Sequence, residues 1–411
     1  MLADDLSRLL SVEGYRVQGL EDETEESVTL FVVPEAKLPF CPKCGQGCLS
    51  THSTEERTVR HLDAFHRPSF LRFDTRIVDC ATCGLGAERL NFIDPQKRST
   101  KAFRRYVGGL CKILPNSQVA ARMELSEDTV RAMDKEFIAA NYPPPDFSKL
   151  RALGIDEIAY RKGQKYITLV CNYETGEIVW TGKGRSAKTL KEFFTLVGPA
   201  VCKQIVAVSM DMAAPYIKAV RAACKEARIV FDHFHVAKHL NEAVNDTRKI
   251  VMARAPDAEQ SAAKGQRFIL LKRGDDLDAL DRERLDRLLA INGDLTTAYV
   301  LKEDFDQFWT CGSPQAAGRF LNRWVDEAIG TEVAPLVRVA KTLRRHKAGL
   351  IAYHTFPISN GPLEGLNTKI NVLRRSRYGF RDLEYFGLKI RQASIERSAR
   401  QAARPQRAIT W

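Results

Sequence analysis

The sequence predicts a multidomain α/β protein, on three observations. Its 411 residues exceed what one ordinary core accommodates, so roughly two to four domains are expected. Two C-x-x-C pairs, Cys41 with Cys44 and Cys80 with Cys83, stand near the start. Past Pro143, Pro144 and Pro145 the apolar pattern changes from helical to strand-like and later back to helical. With 44% hydrophobic and 28% charged residues, the chain reads as globular and soluble.

Composition narrows the function. No apolar run is long enough to span a bilayer, and Asp4 and Asp5 spoil a signal-peptide start, so a cytosolic protein with no membrane partner is expected. Ten cysteines in that compartment read as thiols or metal ligands. The net charge of +12 is concentrated: from Lys341 onward, 15 Lys and Arg face only Glu364, Asp382, Glu384 and Glu396. Such a segment suits a polyanion, although a bare charge run also serves solubility alone.

Residues 1–35 form an acidic segment with a strand expected at 28–33. Residues 36–95 read as a zinc ribbon. Cys41, Cys44, Cys80 and Cys83 supply four thiolates for one tetrahedral Zn²⁺, with 35 residues between the knuckles and strand-like sequence at 70–78. Cys48, His52, His61 and His66 are alternative ligands, and a redox dithiol is the competing reading. Residues 96–142 look helical and carry helix-turn-helix spacing: a short helix at 116–123, a turn at 124–126, and a second helix capped by Ser126. Ala120 and Val130 would pack, while Glu127, Asp128, Thr129 and Arg131 would face the major groove of double-stranded DNA. Residues 143–149 are a Pro-rich linker.

Strands are expected at 152–159, 165–173 and 177–184, with the tight turn Glu174, Thr175, Gly176 between the last two. A helix from Ser186 to Val197, a strand at 204–210, a helix at 215–227 and a strand at 228–231 follow. That order over residues 150–235 is the order of a ribonuclease H-like core, in which first and fourth strands are neighbours. Asp156 lies within the first strand and Asp211 directly follows the fourth, so their carboxylates would stand side by side. An Asp inside a strand is unfavourable on propensity. Residues 236–353 read as an α-helical insertion, with Trp309 and Trp324 as core residues rather than base-stacking ones. Residues 354–395 return to the core through an amphipathic helix that Ser359 or Asn360 can cap and Pro362 can open. Leu363, Leu366, Ile370 and Leu373 share one face of it, with Glu364 on a flank. Residues 396–411 are a basic tail. Asp156 alone also reads as a solvated edge or turn position and Asp211 as an ordinary strand-end acid; with Glu364 on the later helix, the three are expected as hard oxygen ligands for two Mg²⁺ (or Mn²⁺) ions.

Several of these stretches resemble the bacterial insertion-sequence transposases with a DDE triad, of the ISL-three type. The likeness is carried by Gly154-Ile155-Asp156-Glu157, Ser209-Met210-Asp211-Met212, Asp232-His233-Phe234-His235-Val236, Ala298-Tyr299-Val300-Leu301-Lys302, and the run from Ser359 to Tyr378-Gly379-Phe380. The resemblance implies that Asp156, Asp211 and Glu364 are the triad and that ribbon and helix-turn-helix bind transposon ends. It also implies an accessory motif of Asp232 and His235, with His233 as the competing histidine.

The chemistry expected of such a site is two-metal-ion hydrolysis at a terminal inverted repeat, then attack of the freed 3′ hydroxyl on target DNA. Lys369, Arg374, Arg375 and Arg377 would hold phosphates, Asn360 and Asn367 would orient Glu364 or touch DNA, and His235 would order a water or phosphate. Holding two ends makes a homodimer the natural synaptic assembly. Two readings compete: a transcription regulator using only ribbon and helix-turn-helix, and a ribonuclease H-like nuclease without strand transfer.

Overall fold

Buried side chains alternate with exposed ones at the start of Tyr15–Glu23 (β1) and with half-buried ones along Val28–Val32 of Val28–Pro34 (β2), so both strands offer an apolar face to a common core. The computed structural model describes residues 10–402, apart from 11, 65, 162, 164, 257–259, 261–265 and 291, and the chain divides after Pro144 into two units. In the first unit, Thr51–Ala64 (β3), Arg67–Cys80 (β4) and Gly84–Ala87 (β5) complete a sheet of order β1-β2-β4-β3, with β5 paired to β4. Tyr15, Phe73 and Phe92 meet edge to face at its centre, 5.0–6.0 Å apart. The acidic N-terminal stretch therefore shares a sheet with the ribbon, through the parallel pairing of β2 with β4. Its strand β1 escapes a sequence reading because only Tyr15 and Val17 in it are fully buried.

Three helices follow: Lys101–Leu110 (α1), Asn116–Met123 (α2) and Glu127–Asn141 (α3). Glu124 takes a left-handed conformation (φ 55°) between the last two, and the Ser126 hydroxyl accepts the Thr129 N–H at 3.2 Å, the cap the sequence anticipates. Ala120 and Val130 are buried beside Phe103, Val107 and Met123.

In the second unit, Ala152–Arg161 (β6), Lys165–Asn172 (β7), Ile178–Lys183 (β8), Ala207–Met210 (β9) and Arg228–Phe231 (β10) form a sheet of order β10-β9-β6-β7-β8. β6, β9 and β10 are mutually parallel, while β7 and β8 run antiparallel as a meander. Ala187–Gln204 (α4) and Ala214–Ala223 (α5) supply the crossovers. α4 overruns the expected end at Val197. Gly198 kinks it (φ 79°) before Pro199, and a further turn continues to Gln204, which shortens β9 to four fully buried residues.

From His233 onward the described residues are helical: His233–Met252 (α6), Arg267–Leu271 (α7), Ala279–Leu289 (α8), Gly293–Asp304 (α9), Pro314–Gly330 (α10), Ala334–Arg345 (α11) and Lys347–Ile351 (α12). Trp324 is wholly buried, with its indole N–H donated to the Leu301 carbonyl at 2.9 Å, and Trp309 stacks edge-on among Phe305, Phe308 and Tyr353. Both tryptophans are core residues. Gly361–Ser376 (α13) then returns to β6, and Leu383–Ala402 (α14) lies against β8, where the Ser394 hydroxyl accepts the Ile178 N–H at 2.9 Å.

Gly108 in α1 faces α3 so closely that a Cβ there would lie 2.3 Å from Phe137 Cβ, whereas its neighbour Gly109 has nothing within 4 Å. Gly108→Ala is expected to cost about 1–3 kcal/mol by overpacking, against a helix-propensity gain of about 1 kcal/mol. Gly109→Ala is expected to show the gain alone. Thermal unfolding of the two variants checks the contrast.

Candidate active site and metal centre

Cys41 and Cys44 lie in the turn before β3, and Cys80 and Cys83 flank the turn from β4 to β5. Their four sulfurs lie within 4.8 Å of one another, with Cys44 Sγ 3.7 Å from Cys80 Sγ. A tetrahedron with Zn–S bonds of about 2.3 Å has edges of about 3.8 Å. The sulfurs therefore sit at metal-ligand spacing, well beyond disulfide distance. Backbone N–H groups of Cys44 and Lys43 bring the Cys41 thiol down to about 6, and those of Thr82 and Cys83 lower Cys80. Cys83 is pushed up to about 12, chiefly by sharing its proton with Cys44. Two easily ionised thiols beside one that retains its proton are what four crowded sulfurs show without a cation, so the donor set fits structural Zn²⁺.

The alternative ligands lie elsewhere in their bonding. His61 is buried between the Thr100 hydroxyl (2.9 Å) and the Leu10 carbonyl (3.0 Å), and His52 contacts Ser53. His66 occupies a left-handed turn position (φ 67°). Cys48 is buried against the cluster, and burial raises its thiol.

On the helix-turn-helix, Glu127 and Asp128 are exposed in the first turn of α3 and Arg131 is ion-paired to Asp128. Thr129 is half-buried, its hydroxyl 2.8 Å from that of Ser126.

The second site is set by strand register. Gly154 pairs with Ser209 across β6 and β9, so two residues further on Asp156 comes level with Asp211. Phe231 pairs with Met210 across β9 and β10, which brings Asp232 next along the same rim. Three aspartates thus stand at one level on three adjacent parallel strands, where an open α/β sheet places its ligands. Asp211 accepts the Ala213 N–H at 2.9 Å.

Helix α13 is stitched along β6 by a stripe of seven-residue spacing, two helical turns, which keeps one face toward the strand. The Asn360 amide donates to the Ile155 carbonyl at 3.1 Å, the Asn367 amide donates to Asp156 Oδ2 at 2.7 Å, and the Arg374 guanidinium donates to the Ala159 carbonyl. Glu364 lies on this stripe between the two asparagines. Its Oε1 is buried without a hydrogen-bond partner. Leu363, Leu366 and Ile370 are buried as the apolar periodicity predicts, and Leu373 is half-buried.

These contacts correct several expectations. Asn360 occupies the N-cap position of α13 but makes no side-chain cap: its NH2 donates to the Ile155 carbonyl, while Oδ1, the atom a cap would use, is buried without a hydrogen-bond partner, and the Ser359 hydroxyl accepts the Gly361 N–H at 3.3 Å. At 1% exposure Asn360 offers no surface to DNA. Asn367 orients Asp156 rather than Glu364. Lys369 donates its ammonium to the Ala393 carbonyl at 2.8 Å and so turns toward α14. Arg375 is exposed, and Arg377 is half-buried.

Asp232, 1% exposed, anchors the rim: Oδ1 accepts the Asn360 N–H at 3.1 Å and Oδ2 accepts His235 Nδ1–H at 3.2 Å. Burial raises its carboxyl, but the two hydrogen bonds outweigh burial and leave it below the usual range. Its hydrogen bond raises His235, as do the charges of Asp156 and Asp211. His233 is half exposed and meets Trp309 edge-on. Burial raises the carboxyls of Asp156 and Glu364, with Asp211 adding to the first and Asp232 to the second. Glu157, which no motif reading assigned a role, is pushed up to about 7 by burial and then by Asp211 and Asp156. So many desolvated carboxylates on one rim, with an orphaned oxygen on Glu364, leave a deficit of positive charge that divalent cations fit. Among the described residues only the four thiols gather three or more ligand atoms within 4.8 Å, so the acids form a wider site than the thiols.

Residues 153–390 match a family model described as transposase, of the DDE ISL3 type. Residues 37–83 match the zinc-finger of transposase IS204/IS1001/IS1096/IS1165, and residues 88–138 the helix-turn-helix domain of transposase family ISL3. The chain is 33% identical over 387 residues to the transposase for insertion sequence element IS1001 of Bordetella parapertussis, covering 93% of this chain and 95% of that one. It is 28% identical over 371 residues to the transposase for IS1557 of Mycobacterium tuberculosis, covering 84% and 83%. No helix among the described residues is long and apolar enough to cross a membrane.

The raised carboxyls of Asp156, Glu157 and Glu364 mean that the folded protein holds protons the unfolded chain has released, so stability falls as pH rises from about 4 through about 7. The contribution of His235 is full below about 6.5 and is lost as pH rises through its raised folded value, in the same direction. Asp232 acts only at lower pH, where its contribution disappears as pH falls through its depressed value. Melting of the metal-free protein is therefore expected at lower temperature near pH 8 than near pH 5.5. Glu157→Gln is expected to recover on the order of 1–2 kcal/mol of that loss after allowance for solvent screening. In the ribbon, Cys80→Ser is expected to abolish bound zinc by elemental analysis and to lower the melting temperature.

Proposed function

The chain belongs to the ISL3 family of transposases, and we propose that it binds the terminal inverted repeats of an insertion sequence as double-stranded DNA and catalyses strand cleavage and transfer with Asp156, Asp211 and Glu364. The observation that carries this reading is the meeting of α13 with β6. Asn367 fixes Asp156, register sets Asp211 beside it, and Glu364 lies one helical turn from Asn367 with an unsatisfied buried oxygen. The sheet order, three antiparallel strands then two parallel additions beside the first, supports reading the core as ribonuclease H-like. A regulator without catalysis would leave these carboxylates desolvated for no return in binding or stability.

Asp156, Asp211 and Glu364 would hold two Mg²⁺ or Mn²⁺ ions, which when bound acidify an attacking hydroxyl and neutralise charge on the phosphate oxygens. In the first step water attacks phosphorus at the transposon end and the P–O3′ bond breaks, freeing a 3′ hydroxyl. In the second that hydroxyl attacks a target phosphodiester, and the target's own 3′ oxygen leaves. Both are in-line displacements that require no covalent enzyme intermediate. The Asp232 carboxylate orients the His235 ring and raises its basicity, so that His235 would order a water or donate to a phosphate oxygen. Asn367 acts as a positioning residue, since its amide holds Asp156 Oδ2 while the Glu157 N–H holds Oδ1 at 2.8 Å, and the carboxylate is fixed at both ends. The exposed Arg375 and the half-buried Arg377 would contact phosphate, and exposed first-turn residues of α3 would contact base edges. Two ends cut in concert call for a homodimer in the synaptic complex, acting in the bacterial cytoplasm on nucleoid DNA.

Asp156→Asn, Asp211→Asn and Glu364→Gln are each expected to abolish Mg²⁺-dependent nicking of end-containing DNA while end binding persists. Asn367→Ala is expected to lower the cleavage rate roughly 10–100-fold, the usual cost of losing a ligand's outer-shell partner, without weakening DNA binding. Intact nicking in any one of the three acid variants contradicts the triad assignment. Joined products in a plasmid assay separate a transposase from a nuclease.

A further inference from the structure

Beyond the acid rim, the far end of β6 enters a second feature that no motif marks. A cleft of about 390 Å³ opens between the β6–β7 hairpin, the end of β8 and the start of α14. Arg161, Lys165, Lys183 and Arg381 line it, together with Tyr160 and Tyr166. No carboxylate lines it, and among the described residues none of those four cations has a carboxylate within ion-pairing distance. Their side chains are exposed. A bulge at Tyr160, where the β6–β7 register slips between Ala159 and Arg161, re-aims the strand so that two consecutive residues face one cleft. The Arg185 guanidinium adds further positive charge, seated 4.3 Å over the Tyr166 ring. Four like charges held together without a counter-charge repel one another and favour an anion that spans them. Cations interleaved with aromatic faces in a groove match a sugar-phosphate strand better than a compact anion.

We propose that this cleft binds one strand of the DNA substrate on the flank of the cleavage point, an inference that rests on the chain being a DNA transposase. Arg161 lies five residues beyond Asp156 on the same strand, about 17 Å at roughly 3.3 Å per residue. At about 3.4 Å per nucleotide along one strand, the cleft meets the backbone about five nucleotides from the scissile phosphate.

The test uses the full chain and a fluorescein-labelled mixed-sequence DNA duplex, since phosphate contacts do not depend on sequence. Affinity is measured across a salt series for wild type, for the cleft pairs Arg161→Ala/Arg381→Ala and Lys165→Ala/Lys183→Ala, and for the control pair Lys218→Ala/Lys225→Ala on and after α5. All six positions are exposed, and circular dichroism verifies the fold of each variant. Each phosphate contact contributes about 0.9 to the slope of log K against log salt. Each cleft pair is expected to reduce the slope by about two while the control pair leaves it unchanged. Equal slopes for wild type and cleft pairs, or an equal drop in the control pair, overturn the proposal; competition for the cleft by an acidic polypeptide but not by DNA does so as well. Mg²⁺-dependent nicking of end-containing DNA by wild type, run in parallel, separates the two readings. Nicking with unchanged slopes removes the cleft alone, and reduced slopes without nicking remove the proposed chemistry and leave the cleft as a DNA surface.

Discussion

Everything in the second unit turns on a buried carboxylate that bridges pieces of chain far apart in sequence. Asp232 accepts the backbone N–H of Asn360, 128 residues away, and the Asn360 side chain continues to the Ile155 carbonyl, a separation of 205 residues. This chain of two hydrogen bonds joins the end of β10, the start of α13 and the middle of β6. Because Asp232 is buried and held in its charged form, each hydrogen bond to it is charge-assisted and roughly twice as strong as a neutral one. Loss of one partner would leave a buried charge short of a donor, which is far more costly than the loss of an ordinary contact. The helical stretch between β10 and α13 can therefore be long without loosening the site, since its two ends are tied to each other and to the sheet.

The same knot accounts for the electrostatics of the rim. It draws one aspartate fully into satisfied hydrogen bonds and leaves the neighbouring acids, Asp156, Glu157 and Glu364, desolvated and hard to ionise. His235 is held between these two conditions, bonded to Asp232 and facing the field of Asp156 and Asp211. In the proposed chemistry, divalent ions and the phosphates they carry complete a rim so short of positive charge. The zinc ribbon applies similar logic with softer ligands. There the donors already lie at coordination distance, because the site has to hold a metal and perform no displacement. Among the described residues the acids of the rim do not gather three ligand atoms at that spacing.

Much of this was legible in the sequence, and for identifiable reasons. The strands of the second sheet announce themselves by apolar runs and by the tight turn at Gly176, and Ser126 announces α3 by cap chemistry. The four cysteines carry their own spacing rule. Less legible were features that depend on partners distant in the chain. Asn360 reads locally as a cap and proves to be a tie to β6; Lys369 reads as a phosphate ligand and turns to the Ala393 carbonyl. The seven-residue spacing of Asn360, Asn367 and Arg374 was a visible signal for a polar stripe facing a strand, but nothing local distinguishes it from a solvated face. β1 was hidden because its outer half is exposed and acidic, and the end of α4 because a proline that ends most helices here only kinks one. The raised carboxyl of Glu157 depends on burial that no alternation pattern reveals.

The central claim is that α13 delivers Glu364 to the strand-end aspartates to form one metal site. Crystals of the protein bound to a DNA end and soaked with Mn²⁺ test it most directly, by anomalous scattering at the manganese edge. Two anomalous peaks about 4 Å apart are expected, bounded by carboxylate oxygens of Asp156, Asp211 and Glu364 and separate from any signal of the ribbon's zinc. Manganese seated elsewhere, or coordinated without Glu364 while Asn367 still holds Asp156, would contradict it.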